Sequence, residues 1–424
     1  MVAKAFKRIY NGEMGDRSIW FIIFILGLIS MVAVYSSSMG LAYKNNSSAH
    51  LYLLQHFFFL IMGFAITYLF SMMNHVKFST IGVVLILVSV ALLILTFIFG
   101  ININGAIRWI KIPIIGLTFQ TSDFAKLSLV IYLARILTTK QEKIKDFNTA
   151  FIPILLPVAL ICLLIAPVNL STSLLIFLTS LAMMFVGRVR VKFMAGLVGL
   201  GFGMLGFLYI LWWFFPNGVR MATWTKRIQD FMANGDGSYQ NIQAKIAIAN
   251  GGFLGMGAGD GGHLRFLPSA YADFIYASIC EEYGVVGGMI ILILFVWFFI
   301  RVVVLVTKSP KTFGALLAIG LALLITIQAL TNMAVSVHLL PVTGLTLPLV
   351  SKGGTSLIFT SIAVGMILSV SRFVDKSHQK TIREVQTDDY NNGALKDDIN
   401  VTESTLPFDV SYVIDESKKG TNIV

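Results

Sequence analysis

Ten long apolar stretches divide this chain, at 19–39, 52–72, 78–99, 119–137, 151–168, 171–187, 193–215, 284–304, 313–334 and 353–371. A helix needs about 20 apolar residues to cross the hydrocarbon of a bilayer. Within that layer every backbone polar group must be satisfied internally, so runs of this length dictate helices. The composition agrees, with 56% hydrophobic residues, 12% charged residues and a mean hydropathy of +0.81. A soluble domain carries about 25% charged residues. The expected fold is therefore an all-α polytopic membrane protein. It comprises an N-terminal segment, 1–18, a ten-helix domain, 19–372, and a polar tail, 373–424. The tail holds the acidic pairs Asp388/Asp389 and Asp397/Asp398 without any sustained period, and is expected to be disordered.

The net charge of +11 would suggest nucleic acid in a soluble protein. Here the basic residues crowd alternate connections. One set holds Lys4, Lys7, Arg8 and Arg17, then Lys77, then Arg135, Lys140, Lys143 and Lys145. It continues with Arg188, Arg190 and Lys192, then Arg301, Lys308 and Lys311, then Arg372, Lys376 and Lys380. The opposite short loops carry only Lys44, Arg108, Lys111 and Lys352. That asymmetry predicts both termini in the cytoplasm and no nucleic-acid partner. The first apolar run has no convincing small-residue cleavage site and reads as a retained span. Cys162 and Cys280 suggest neither a disulfide nor a metal site.

Two connections on the external side are larger, 100–118 and 216–272. A loop as long as the second is expected to be functional. Within it Trp224–Met232 reads as an amphipathic interfacial helix and Tyr239–Ala249 as a second short helix. The dense glycines of Gly251–Gly262 predict a flexible or tightly turning segment. Asp273, Glu281 and Glu282 follow at the mouth of an apolar run, where carboxylates are costly and mark function.

Several residues carry two readings. Asp273 is either a general base or a cap on the helix that follows it. On a continuous helix Glu281 would lie about 12 Å along from it and about 80° round, with Glu282 on the far side. Asp123 and Lys126, at i and i+3, either neutralise each other or offer Lys126 to a phosphate. Arg108 and Lys111 beside Trp109 are interfacial anchors or, for Arg108, a phosphate clamp. Ser351, Lys352, Thr355 and Ser356 offer polar groups near the start of the last helix. His338 reads as packing or polar lining, and His263 as a possible substrate contact.

Four blocks, spread over about residues 10–375, carry a specific resemblance. They are Arg108-Trp109 with FQTSDFAK at Phe119–Lys126; Tyr239-Gln240 with the glycine run Gly251–Gly257; PSAYADFIYASICEEYG at Pro268–Gly284; and Asn332 with LLPVTGLTLPLVSKGGTS at Leu339–Ser356. Together they resemble the SEDS family (shape, elongation, division and sporulation), which includes RodA, FtsW and SpoVE. GLTLP at Gly344–Pro348 and YSSS at Tyr35–Ser38 lean towards the FtsW branch. The chain departs from the family pattern at Tyr271-Ala272, Ser269, Thr121, Ala334, the Pro167–Thr172 turn, and Lys352, where tyrosine is usual.

The resemblance implies a peptidoglycan glycosyltransferase that polymerises lipid II outside the cytoplasmic membrane, in septal wall synthesis. It implies inversion at the anomeric carbon, with undecaprenyl diphosphate leaving. Asp273 takes the place of the family's catalytic aspartate. Arg108, Lys126, Gln120, Ser351 and Lys352 are the candidate substrate contacts; Asp123, Glu281 and Glu282 are supporting carboxylates. The implied partners are a class B penicillin-binding transpeptidase and divisome membrane regulators. No cofactor is fixed by the pattern, and a divalent cation, Mg or Mn, is left open. A lipid II flippase, a RodA-like elongation polymerase and a scaffold for a separate synthase are the alternatives.

Overall fold

A computed structural model of the chain describes residues 14–40, 48–103, 106–111, 118–214, 220–232, 239–259, 261 and 270–391. The helices are α1 (Arg17–Ser37), α2 (Ala49–Met72), α3 (His75–Phe99), α4 (Thr121–Thr139), α5 (Ile152–Ile165) and α6 (Leu170–Val186). They continue with α7 (Val191–Phe214), α8 (Met221–Met232), α9 (Tyr239–Gly251), α10 (Ile275–Thr307), α11 (Thr312–Ser336) and α12 (Gly354–Asn391). Among the described residues, eight helical segments are long and apolar enough to cross a bilayer, with α5 counted from Phe147 and α12 to His378. α4 and α6 lie outside that group. α4 carries Asp123, Lys126 and Arg135, and α6 has only 17 residues, about 26 Å at 1.5 Å per residue.

Charge and burial explain how these helices sort. α11 is the hub, with 78% of its apolar window buried, and it packs against α4, α6 and α10. α7 is the opposite, with 11% buried. A helix apolar all round but scarcely covered by protein is suited to lipid. α1 is started by Asp16, whose carboxylate accepts from the N–H groups of Ser18 at 2.7 Å and Ile19 at 3.4 Å. The same side chain meets Arg301 Nε at 2.6 Å. Asp16→Ala should lower stability by about 1 kcal/mol through the lost cap alone. Thermal unfolding in detergent tests this, and an unchanged melting temperature would remove the cap from the account.

Three features differ from the sequence reading. First, the 100–118 connection contributes to a three-stranded antiparallel sheet, β1 (Ile101–Ile103), β2 (Ala106–Lys111) and β3 (Thr118–Gln120), in the order β1-β2-β3. Phe119 and Gln120 thus belong to a strand, and α4 starts at Thr121.

Second, the helix placed at 284–304 begins at Ile275 and is broken at Gly284 (φ 65°, ψ −166°). Asp273 lies in the turn before it, so the helical spacing from Asp273 to Glu281 does not apply. The break frees carbonyls, and the glycine-rich segment answers them. Met256 N–H donates to Glu281 O at 3.0 Å and Gly257 N–H to Glu282 O at 3.1 Å. In return Val285 N–H donates to Gly252 O at 3.0 Å. A Cβ at Gly251, Gly255 or Gly284 would overlap backbone atoms of the opposing segment. Close backbone approach is thus the reason for glycine here, and the segment turns tightly.

Third, α12 runs on to Asn391, so part of the tail expected to be disordered is helical; residues 392–424 lie outside the described residues. The chain divides into two compact units, 1–375 and 376–424.

Candidate functional site

The site is built on the turn 270–274, and its backbone is pinned at three consecutive carbonyls. Tyr271 O accepts from Lys352 N–H at 2.9 Å. Ala272 O accepts from the Ser351 hydroxyl at 2.7 Å. Asp273 O accepts from the Asn332 amide at 2.7 Å. The same Asn332 nitrogen donates to Leu345 O at 2.7 Å, and Ser351 Oγ accepts from Leu347 N–H at 2.8 Å. Two segments far apart in sequence are thereby locked in register, and the backbone that carries Asp273 is held in place.

The carboxylate of Asp273 is partly buried. It does not cap α10, whose N-cap is Phe274 without a side-chain hydrogen bond. Gly344, with φ 71°, lies so close that a Cβ there would sit 3.6 Å from Asp273 Oδ2. Burial raises the proton affinity of Asp273 above that of an ordinary aspartate. Arg108 and Arg227 oppose the shift without cancelling it.

The arginines come from separate elements. Arg108 is on β2, where Trp109 pairs with Gln120 of β3. The first and second parts of one sequence block are therefore cross-strand neighbours. Arg108 Nε is buried and has no hydrogen-bond partner among the described residues. Its pKa falls to about 10, first through burial and then through repulsion by Arg220 and Arg227, so it stays cationic at neutral pH. Arg227 projects from α8 and donates to Val342 O at 3.0 Å and Thr343 O at 3.3 Å. α8 is held at its start by Arg220 N–H on Pro167 O at 3.2 Å, and by Trp224 packed on Ala166 and Leu208.

Arg227 and Arg220 were not among the residues singled out from sequence. The amphipathic pattern of Trp224–Met232 accounted for the charge of Arg227 as part of an interfacial helix, and Arg220 lies before that stretch. The position of Arg227 on a helix expected to lie at the membrane surface gave no sign that its charge acts on Asp273.

The other candidates are distributed as follows. Lys352 places Nζ 3.8 Å from the centroid of the Tyr52 ring and 5.8 Å from that of Tyr271. Burial lowers its pKa to about 8. Ser351 holds backbone, as described, and Gln120 Nε2 donates to Ser122 Oγ at 2.9 Å. Lys126 is buried and paired with Asp123 at 2.8 Å. Glu281 and Glu282 are fully buried behind the turn, and Glu282 accepts from the Ser36 hydroxyl and from Gly259 N–H. The YSSS block thus meets Glu282 through Ser36. His338 packs against Phe231, with centroids 5.0 Å apart and the rings tilted by 51°. His263 lies outside the described residues.

The Asp273 carboxyl group feels the guanidinium charges of Arg108 and Arg227, and Arg220 in turn repels both of those arginines. Such a set can take a proton from a nucleophile and hold a polyanion beside it. It does not fit a protein-built site for Mg or Mn, which takes several oxygen donors. No group of three or more histidines, cysteines or acids suited to a metal occurs among the described residues.

The family model described as "Cell cycle protein", for FtsW, RodA and SpoVE, matches residues 16–376. The chain belongs to the FtsW/RodA/SpoVE family. A relative named probable peptidoglycan glycosyltransferase FtsW, from Geobacter sulfurreducens, is 34% identical over 369 residues, covering 85% of this chain and 95% of the relative. Membership in the SEDS family is thus as the four sequence blocks indicated, and the lean towards its FtsW branch as GLTLP and YSSS indicated.

The fold also matches solved structures. RodA of Thermus thermophilus aligns with a TM-score of 0.61 and 23% identity, covering 84% of this chain and 97% of that one. A chain from a peptidoglycan synthase complex, described as coordinating polymerization and crosslinking, aligns with a TM-score of 0.65 and 24% identity, covering 85% and 98%.

Proposed function

We propose that this FtsW/RodA/SpoVE family member is an inverting peptidoglycan glycosyltransferase that polymerises lipid II during septal wall synthesis. The observation that carries the reading is the Asp273 turn, pinned at its backbone carbonyls, with its carboxyl group under the charges of Arg108 and Arg227. A sugar hydroxyl of one substrate attacks the anomeric carbon of the other. As the new C–O bond forms, Asp273 takes the hydroxyl proton. The bond from the anomeric carbon to the lipid diphosphate breaks, and the diphosphate leaves with the electron pair. Arg108, Arg227 and Arg220 meet the charge that grows on it. Diphosphate is already a good leaving group, so a second carboxylic acid is less needed than in a glycosidase.

The site faces outward in this reading, both termini are cytoplasmic, and ten helices span the inner membrane. α4 and α6 complete the ten. The charges of α4 are tolerable because Asp123 and Lys126 neutralise each other inside the bundle. The FtsW name of the relatives favours a division role at the septum over elongation. A class B transpeptidase is the proposed partner, in keeping with the complex that the aligned synthase chain forms. Divisome membrane regulators would bind alongside. The arginines supply the cationic charge, and no step needs Mg or Mn.

The test is polymerisation of labelled lipid II by the purified protein with its own transpeptidase partner. Glycan strands are the expected product. Movement of labelled lipid II across proteoliposomes, with no strands formed, would replace this reading by the flippase.

A further inference from the structure

Lys126 does not open onto the Asp273 turn. It is 7% exposed, and Nζ lies 2.8 Å from Asp123 Oδ1 and donates to Gln328 Oε1 at 3.2 Å. Gln328, also buried, donates from Nε2 to the carbonyl of Thr346 at 2.9 Å. The chemistry fixes the orientation of this amide. An ammonium requires the oxygen, and a carbonyl requires the N–H, so one rotamer satisfies both. Gln328 stands one helical turn before Asn332 on α11. Asn332 grips the neighbouring carbonyl of Leu345 together with that of Asp273. Two successive carbonyls of the GLTLP segment thus hang on two side-chain amides of the same helix face.

We propose that Gln328 is a positioning residue, transmitting the buried Lys126–Asp123 ion pair to the backbone at Thr346 and so holding the segment that orients Asp273. A buried ion pair is weak evidence of stability by itself, because desolvation offsets the attraction. Its use here is directional. The ammonium polarises the amide, which strengthens the N–H bond to Thr346 O. Lys126 then acts on turnover through Gln328, and not by touching a phosphate. The catalytic half of this inference rests on the proposed glycosyltransferase reading.

The experiment compares wild type, Gln328→Met, Lys126→Met and the double variant, all purified and shown to be folded. Two quantities are read: amide hydrogen exchange across 342–352, and kcat and KM for lipid II polymerisation. Gln328→Met should raise exchange in that segment at least about 10-fold and lower kcat about 10- to 100-fold, with KM within about 2-fold of wild type. Lys126→Met should do the same, and the double variant should add little, because the two act as a unit. Gln328→Glu can still accept from Lys126 but cannot donate to Thr346 O. It should match Gln328→Met in exchange, which separates the relay from simple filling of space. Unchanged exchange in Gln328→Met would overturn the proposal, as would a Lys126→Met variant that raises KM alone. Exchange needs no activity, so a wild type that forms no polymer would count against the glycosyltransferase reading without obscuring this result.

Discussion

Asp273→Asn lowers polymerisation about 10²- to 10⁴-fold at equal folded amounts, the range set by loss of a positioned general base. Asparagine keeps the size of the side chain, and the bonds that fix this turn are made by backbone carbonyls of residues 271–273. The variant should therefore fold as wild type does. What it loses is the acceptor for the nucleophile's proton, together with the negative charge that Arg108 and Arg227 act on. Lipid II binding should survive, because removing that charge leaves the arginines free for diphosphate. The measurement is strand formation beside binding of labelled lipid II. Equal polymer from variant and wild type would exclude Asp273 as the base and favour the scaffold reading.

Gly284→Ala destabilises the protein by about 3–5 kcal/mol, a large share of a typical folding free energy. Its backbone, at φ 65° and ψ −166°, lies in a region used essentially by glycine alone, and forcing another residue there costs about 1–3 kcal/mol. The added Cβ would also overlap the carbonyl of Phe253. Relief would pull the glycine-rich segment away and break its bonds to Glu281 O, Glu282 O and Val285 N–H. Gly196→Ala is the matching control, because open space surrounds that position on α7. Thermal unfolding should show a large drop for Gly284→Ala and almost none for Gly196→Ala. Equal melting temperatures would mean that the break is not held as described.

Much of the fold is legible from the apolar runs, because membrane helices announce themselves by length. The two helices that lie outside the stricter length and charge criterion, α4 and α6, were still found as the apolar stretches 119–137 and 171–187. The helix break was not legible, because Ile275–Tyr283 and the apolar run after Gly284 read as one approach and one span. Only the backbone contact with residues 251–257 shows why glycines stand on both sides.

At the site, Asp273, Arg108 and Ser351 were marked by sequence blocks, and they do converge on one turn. Arg227 was hidden because amphipathicity accounted for its charge, while its carbonyl partners, Val342 and Thr343, lie 115 and 116 residues away. For Lys126, spacing offered both an ion pair with Asp123 and a phosphate contact. Gln328, which links that pair to the site, carries no charge or motif to draw the eye.

The central claim is that Asp273 is a base whose proton affinity is set by burial against flanking arginines. Its most direct test is the pH dependence of kcat/KM for lipid II polymerisation, in wild type and Arg108→Gln. The base must be deprotonated, so the rate falls as pH drops through the pKa of Asp273. Because burial raises that pKa, the fall should begin above the range of an ordinary aspartate. Arg108 pulls the pKa down, so removing its charge should move the acid limb to still higher pH. An acid limb in the ordinary aspartate range, or one that Arg108→Gln leaves in place, would contradict the account.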